Sequence, residues 1–250
     1  MKILTVVGAR PQFVKAAAVS RVIRKEIEEV LVHTGQHYDA NMSDIFFEEL
    51  SIPRPDYNLG VGSGSHAKQT AEMLIKIEEL ILKEKPDFVM VYGDTNSTLA
   101  GALAAVKIHV PIIHVEAGLR SYNMNMPEEI NRILTDRISA LLLCPTDEAV
   151  KNLDKEGVKE NVYNVGDVMC DAVLFYGKQI DTHNKDYYIK RLNPLFEGEQ
   201  VPDRWYMATI HRAENTDSAE KIKNILDAFE QFDEKVIFPV NPSTKGLVRD

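Results

Sequence analysis

Residues 88–116 read FVMVYGDTNSTLAGALAAVKIHVPIIHVE, and the order of textures along them decides the fold. Phe88 to Tyr92 is a short, wholly apolar run, Thr95 to Ile108 has the length of a helix, and Ile112 to Val115 is a second apolar run closed by Glu116. Strands that are apolar throughout, separated by a helix, belong to a parallel sheet covered on both faces. The same alternation continues in both directions. Upstream lie a strand Ile3 to Val7 and a helix Pro11 to Ile27, a strand Val30 to His33 and a helix Ser43 to Leu50, then a long helix Gln69 to Leu82. Downstream lie a helix Pro127 to Ala140, a strand Leu141 to Cys144, a helix Thr146 to Lys155 and a strand Val162 to Val165. This is the signature of a doubly wound α/β domain.

After Gly166 the texture changes. A helix Asp167 to Ile180 precedes a charged stretch, His183 to Arg204, and a new strand begins at Trp205 and runs to Ile210, followed by a helix Ser218 to Phe232 and a strand Val236 to Val240. We place the domains at residues 1–168 and 169–250, the second being the start of another α/β unit. Two strands and one helix do not bury a doubly wound sheet alone, so this unit is expected to continue past Asp250 or to lean on another chain.

The chain has 250 residues, 44% of them apolar and 27% charged, which is globular composition and excludes disorder as its main theme. Lys and Arg number 29 against 38 Asp and Glu, a net charge of −9, so nucleic acid is excluded as the main partner. The opening MKILTVVG has too short an apolar run for a signal peptide or a membrane span, and a cytoplasmic location is expected. Cys144 and Cys170 form no metal-ligand or redox pair and read as packed thiols.

Ligands of open parallel sheets bind at the carboxyl ends of the strands, so the residues after each strand carry the chemistry. Gly8-Ala9-Arg10-Pro11-Gln12 lacks the dinucleotide fingerprint, and no Walker pattern occurs anywhere. That turn still offers a helix N-terminus for an anion and, in Arg10, a guanidinium suited either to phosphate or to the surface. The run Gly60 to Ser65 is either a flexible surface loop or one that meets phosphate. Asp94 and Glu116 close neighbouring strands; Asp94 equally suits a helix cap, whereas a carboxylate at the end of a buried strand needs a partner or a task. Glu128 and Glu129 open a helix, where carboxylates also complement the dipole. His114-x-Glu116 has the spacing of a metal pair but lacks a third ligand, so no metal site is expected there, and His211-Arg212 is either a phosphate clamp or a structural pair.

Taken together, Gly8-Ala9-Arg10-Pro11-Gln12, His33-Thr34-Gly35-Gln36-His37, Tyr92 to Thr98, His114 to Arg120, Pro127-Glu128-Glu129-Ile130-Asn131-Arg132 and His211-Arg212-Ala213-Glu214-Asn215 closely resemble the UDP-N-acetylglucosamine 2-epimerase family of the non-hydrolysing type. The resemblance runs in order along nearly the whole chain. It implies a GT-B architecture, two Rossmann-like domains with parallel sheets, the second incomplete in this chain. It implies interconversion of UDP-N-acetylglucosamine and UDP-N-acetylmannosamine through elimination of UDP to a glycal and re-addition, with no cofactor, no metal, no membrane and a homodimer. By position, Asp94, Glu116, Glu128 and His211 match the catalytic set, and Arg10, Gln36, His37, Arg120, Arg132 and Arg212 the substrate-binding set. A hydrolysing relative that releases N-acetylmannosamine and UDP, or a nucleotide-sugar binding protein without turnover, are the alternatives. Two departures stand out: the family continues beyond the position of Asp250, and Asn241 and Ser243 replace a histidine and an arginine usual among relatives.

Overall fold

The computed structural model describes residues 1–36, 53–180, 184–192, 202–210, 215 and 218–240. The expected helix Ser43 to Leu50, and His37, His211, Arg212, Asn241 and Ser243, lie outside the described residues. The chain forms two compact units, Met1–Ile180 and Asp181–Asp250.

The first unit is built on β1 (Lys2–Val7), α1 (Arg10–Ile23), β2 (Glu28–His33), β3 (Tyr57–Asn58), α2 (His66–Glu84), β4 (Phe88–Tyr92), α3 (Asn96–Lys107), β5 (Ile112–Val115), α4 (Pro127–Ile138), β6 (Leu141–Cys144), α5 (Asp147–Lys155), β7 (Val162–Asn164) and α6 (Val168–Ile180). Its sheet runs β3-β2-β1-β4-β5-β6-β7, every pair parallel. The order reverses between β1 and β4, which makes the carboxyl ends of those strands the crevice of a doubly wound fold.

Alternation along the strands divides the core. Leu4, Val6, Val32, Val89, Val91 and Ile112 pack with Met73, Ile77 and Ile81 of α2 and the alanines of α3. Ile3, Val7, Leu31, Met90, Tyr92, Ile113 and Val115 pack with Phe13, Ala16 and Ala17 of α1 on the other face. Small residues let α3 sit close to the sheet: a Cβ on Gly101 would come 3.1 Å from Val91 Cγ1. Helix starts follow side-chain oxygens. Ser65, Thr95 and Thr146 accept from the backbone N–H of Lys68, Thr98 and Ala149 at 3.4, 3.3 and 3.2 Å. The helix expected to reach Ile27 stops at Ile23, because Lys25 and Glu26 donate three residues back, to Val22 and Ile23, in tightened turns.

The second unit holds α7 (Lys185–Leu192), β8 (Trp205–Met207), α8 (Ala219–Phe229) and β9 (Lys235–Ile237), with β8 and β9 parallel. α8 is capped by Ser218, whose Oγ accepts from Lys221 N–H at 3.2 Å. Phe229 meets Phe232 and Phe238 with ring centroids 6.0 and 6.1 Å apart. Tyr206, Met207 and Phe232 stay exposed. Of the two cysteines, Cys144 is buried as expected, but Cys170 is exposed, because it lies on the outward side of α6.

Candidate active site

The rim of the first unit is assembled from the turns after β1, β4 and β5. After β1 the chain passes close to the start of α3: a Cβ on Gly8 would fall 2.1 Å from Ser97 Oγ and 2.2 Å from Thr34 Oγ1, so only glycine fits. Gln12, buried, locks this turn. Its Oε1 accepts from the N–H of Gly8 and Ala9 at 2.8 and 3.0 Å, and its Nε2 donates to Tyr92 O at 2.7 Å and Thr98 Oγ1 at 2.9 Å. Arg10, the first residue of α1, is exposed at this edge.

Asp94 and Glu116 stand side by side. Tyr92 and Val115 are register partners, and the Gly93 N–H donates to Val115 O at 3.0 Å, so the two carboxylate-bearing turns leave the sheet together. A Cβ on Gly93 would approach Glu116 Oε2 to 3.0 Å. Glu116 itself has φ +73°, a left-handed conformation that costs a non-glycine residue about 1–3 kcal/mol and marks functional sites more often than ordinary turns. Its backbone is held there by donation from Glu116 and Ala117 N–H to Leu143 O at 3.0 and 3.1 Å.

Each carboxylate has its own cation. Lys15, nearly buried in α1, forms an ion pair with Glu116 Oε2, and Arg132 of α4 forms one with Asp94 Oδ2. Thr95, not Asp94, caps α3, which leaves the Asp94 side chain for Arg132. Lys15 was not legible as a site residue. The one signal is a lysine inside the otherwise apolar run Phe13 to Val19.

The other expected residues take different places. Glu128 is exposed in the first turn of α4, while Glu129 is fully buried and accepts from Ser121 N–H and Oγ, Tyr122 N–H and Arg132 at 2.8–3.0 Å. Burial works against the Glu129 charge, yet these donors hold its carboxyl below the usual range. Gln36 sits on the N-terminus of α3, its Oε1 accepting from Ser97 N–H at 3.0 Å and Ser97 Oγ at 2.6 Å. Arg120 is buried, donating to both Glu156 oxygens at 2.7 and 2.8 Å, to Asp136 Oδ2 at 2.7 Å and to Leu119 O at 2.7 Å. The fork expected to meet substrate is thus bound to the protein. Both ring nitrogens of His114 are engaged as well, by Asp136 Oδ1 and Gly93 O at 2.7 Å each, which takes His114 out of a metal pair with Glu116. Among the described residues no group of three metal-ligating side chains occurs. No described helix is long and apolar enough to cross a membrane.

Two carboxylates with fixed cations, next to the N-termini of α1 and α3, can bind an anionic ligand and exchange protons with a carbon held between them. Comparison with known proteins finds one family. Residues 21–250 match the family model described as UDP-N-acetylglucosamine 2-epimerase. The chain is 56% identical over 245 residues to a UDP-N-acetylglucosamine 2-epimerase homolog of Methanococcus maripaludis, covering 98% of this chain and 67% of that one. It is 51% identical to the UDP-2,3-diacetamido-2,3-dideoxy-D-glucuronate 2-epimerase of Pseudomonas aeruginosa, covering 99% of this chain and 69% of that one. The crystal structure of the Methanocaldococcus jannaschii UDP-GlcNAc 2-epimerase in complex with UDP-GlcNAc and UDP superposes with a TM-score of 0.86 at 45% identity, over 99% of this chain and 68% of that one. The chain therefore spans about two thirds of the length of these relatives. The parallel α/β sheets and this superposition bear out the expected GT-B fold class.

Proposed function

Since this chain belongs to the UDP-N-acetylglucosamine 2-epimerase family, we propose that it interconverts UDP-N-acetylglucosamine and UDP-N-acetylmannosamine without net hydrolysis. The observation that carries this reading is the pairing of Asp94 and Glu116 at the ends of β4 and β5, beside the switch point of the sheet, each held by a cation from a helix on a different side, α4 and α1.

The chemistry explains why such a site suits the reaction. The C2–H of the sugar is barely acidic, so its loss to a carboxylate must accompany cleavage of the C1–O bond, whose electron pair leaves with UDP. The product is a glycal, and C1 carries positive character on the way to it. Carboxylates at the rim stabilise that character, and helix N-termini with Arg10 stabilise the leaving diphosphate. Return of the diphosphate oxygen to C1, with a proton delivered to C2 from the opposite face, gives the other epimer. The cycle is redox-neutral and calls for no redox cofactor. In this reading Asp94, Glu116 and Glu128 share the proton transfers, His211 and Arg212 grip the diphosphate, and Arg132 positions Asp94. Residues 1–168 then serve the sugar and residues 169–250 begin the UDP side, in a cytoplasmic homodimer whose partners are the two UDP-sugars and UDP.

The Pseudomonas relative favours a second reading, C2 epimerisation of a different UDP-amino sugar by the same rim. Proton NMR in D₂O, with UDP-N-acetylglucosamine and UDP-2,3-diacetamido-2,3-dideoxy-D-glucuronate in parallel, tests both. Deuterium at C2 with growth of the manno epimer of one substrate supports epimerisation and names the sugar. Free N-acetylmannosamine with UDP as the main products supports the hydrolysing relative, and UDP binding without exchange a binding protein.

A further inference from the structure

Behind the two rim carboxylates lies a buried cluster that the reaction described above does not use: His114 on β5, Asp136 on α4, Arg120 in the loop after β5 and Glu156 at the end of α5. We infer that His114 is a resident imidazolium and the positioning residue that fixes the Asp94 and Glu116 turns relative to one another.

His114 Nε2 lies 2.7 Å from the carbonyl oxygen of Gly93, which can only accept, so Nε2 carries a proton. His114 Nδ1 lies 2.7 Å from Asp136 Oδ1. The other oxygen of that carboxylate accepts from Gly118 N–H at 3.2 Å and Arg120 at 2.7 Å, and the guanidinium charge beside it favours the ionised form over a carboxylic acid that would donate to Nδ1. An unprotonated Nδ1 would set lone pair against lone pair, so Nδ1 carries a proton too. The charges then balance. Two anions, Asp136 and the partly exposed Glu156, face two cations, Arg120 and His114, so an imidazolium gives the fully buried Asp136 a cation of its own while Arg120 also serves Glu156. Cys144 on β6 also feels the cluster, and burial raises its thiol to about 11, so it stays neutral. Burial disfavours the Asp136 charge as well, and His114 and Arg120 nonetheless hold its carboxyl below the usual carboxylate range.

Position gives the cluster its role. Gly93 O belongs to the peptide that carries the Asp94 nitrogen, and Gly118 N–H and Leu119 O belong to the loop that Glu116 opens. One side-chain cluster thus ties together the two turns that bring Asp94 and Glu116 to the ends of neighbouring strands. A loosening of either turn moves one carboxylate away from its proton, and a displacement of about 1 Å can cost ~10²-fold in rate.

The role rests on the epimerase reading; the charge does not. Nitrogen-15 NMR of the ring of His114 in the 250-residue chain, without substrate, is expected to show protons on both nitrogens at neutral pH. A bare ring nitrogen at neutral pH overturns the inference. In the D₂O exchange assay His114→Gln, which keeps a donor toward Gly93 without the charge, is expected to lower kcat by ~10²-fold with KM changed less than about threefold. Glu156→Gln, which removes one of the two carboxylate charges on Arg120 and leaves its bonds to Asp136 and Leu119, is expected to lower kcat by a smaller factor and serves if the first variant does not fold. Wild-type kcat in a folded variant overturns the positioning role. Absence of exchange in the unsubstituted protein sinks the epimerase reading and leaves the charge to the NMR.

Discussion

At the scale of single residues, the informative contrast is between Glu128 and Glu129, adjacent in sequence and opposite in environment. Glu129 is consumed by four donors that hold the Ser121–Tyr122 loop and the Arg132 guanidinium, whereas Glu128 is exposed beside the rim. Asp94→Asn, Glu116→Gln and Glu128→Gln are therefore each expected to cut turnover by ~10² or more, with Glu128→Gln leaving the thermal midpoint unchanged. Glu129→Ala is expected instead to strand buried N–H groups and cost about 2–4 kcal/mol of stability. Denaturant titration of the four variants beside their turnover separates the two classes, and wild-type turnover in the first three would remove the carboxylates from the mechanism. The positions of Asp94 and Glu116 were legible because a residue that closes a parallel strand must stand at the rim. Their cations were not: Lys15 meets a carboxylate 101 positions away, a pairing that no local spacing encodes. Nor does sequence tell an arginine that faces a ligand from one, like Arg120, whose hydrogen bonds are taken up inside the protein.

At the scale of elements, the apolar runs revealed every long strand, and what escaped was what lacks such a run. β3 is two residues long, an edge strand paired only through Val32 with Tyr57 and His33 with Asn58. α7 mixes four charged residues with four apolar ones inside a charged stretch. The packing of β2 against α1 carries a pH dependence. His33 is buried against the Phe13 ring, centroids 4.7 Å apart, with Nδ1 accepting from Gly35 N–H at 2.7 Å, and burial lowers its pKa from 6.5 to about 4. A base whose folded pKa lies below its unfolded one binds fewer protons when folded, so stability falls as pH drops from about 6.5 toward 4, by at most about 3 kcal/mol. His33→Asn keeps an acceptor for Gly35 without a titrating ring. Its stability is expected to lose that part of the acid slope, read as the difference between the two proteins' unfolding free energies across this window. The β1–α1 turn gives a second element-scale test. Gly8→Ala must displace Thr34 or Ser97, and the overpacking is expected to cost about 1–3 kcal/mol, measured as a lowered denaturation midpoint.

At the scale of the whole molecule, the two units differ in how completely they cover their sheets. In Met1–Ile180 a seven-stranded sheet has helices on both faces, and the interiors of β1, β2, β4 and β5 are buried on each side. In Asp181–Asp250 the two described strands show apolar side chains to solvent, Met207 at 75% exposure and Tyr206 at 47%, and among described side chains Ile222 is its one fully buried hydrophobic residue. Burial of apolar area is what offsets the entropy of ordering a chain, and among the described residues the first unit has far more of it. Residues 1–180 are accordingly expected to fold alone, with a cooperative thermal transition and slow amide exchange in β1, β4 and β5. Residues 181–250 alone are expected to exchange within the dead time of the measurement. Slow exchange in the isolated second piece would mean that its sheet is covered by residues outside those described. Fast exchange there, together with protection of the same strands in a protein as long as the relatives, would locate the missing cover in the third of their length that this chain does not span.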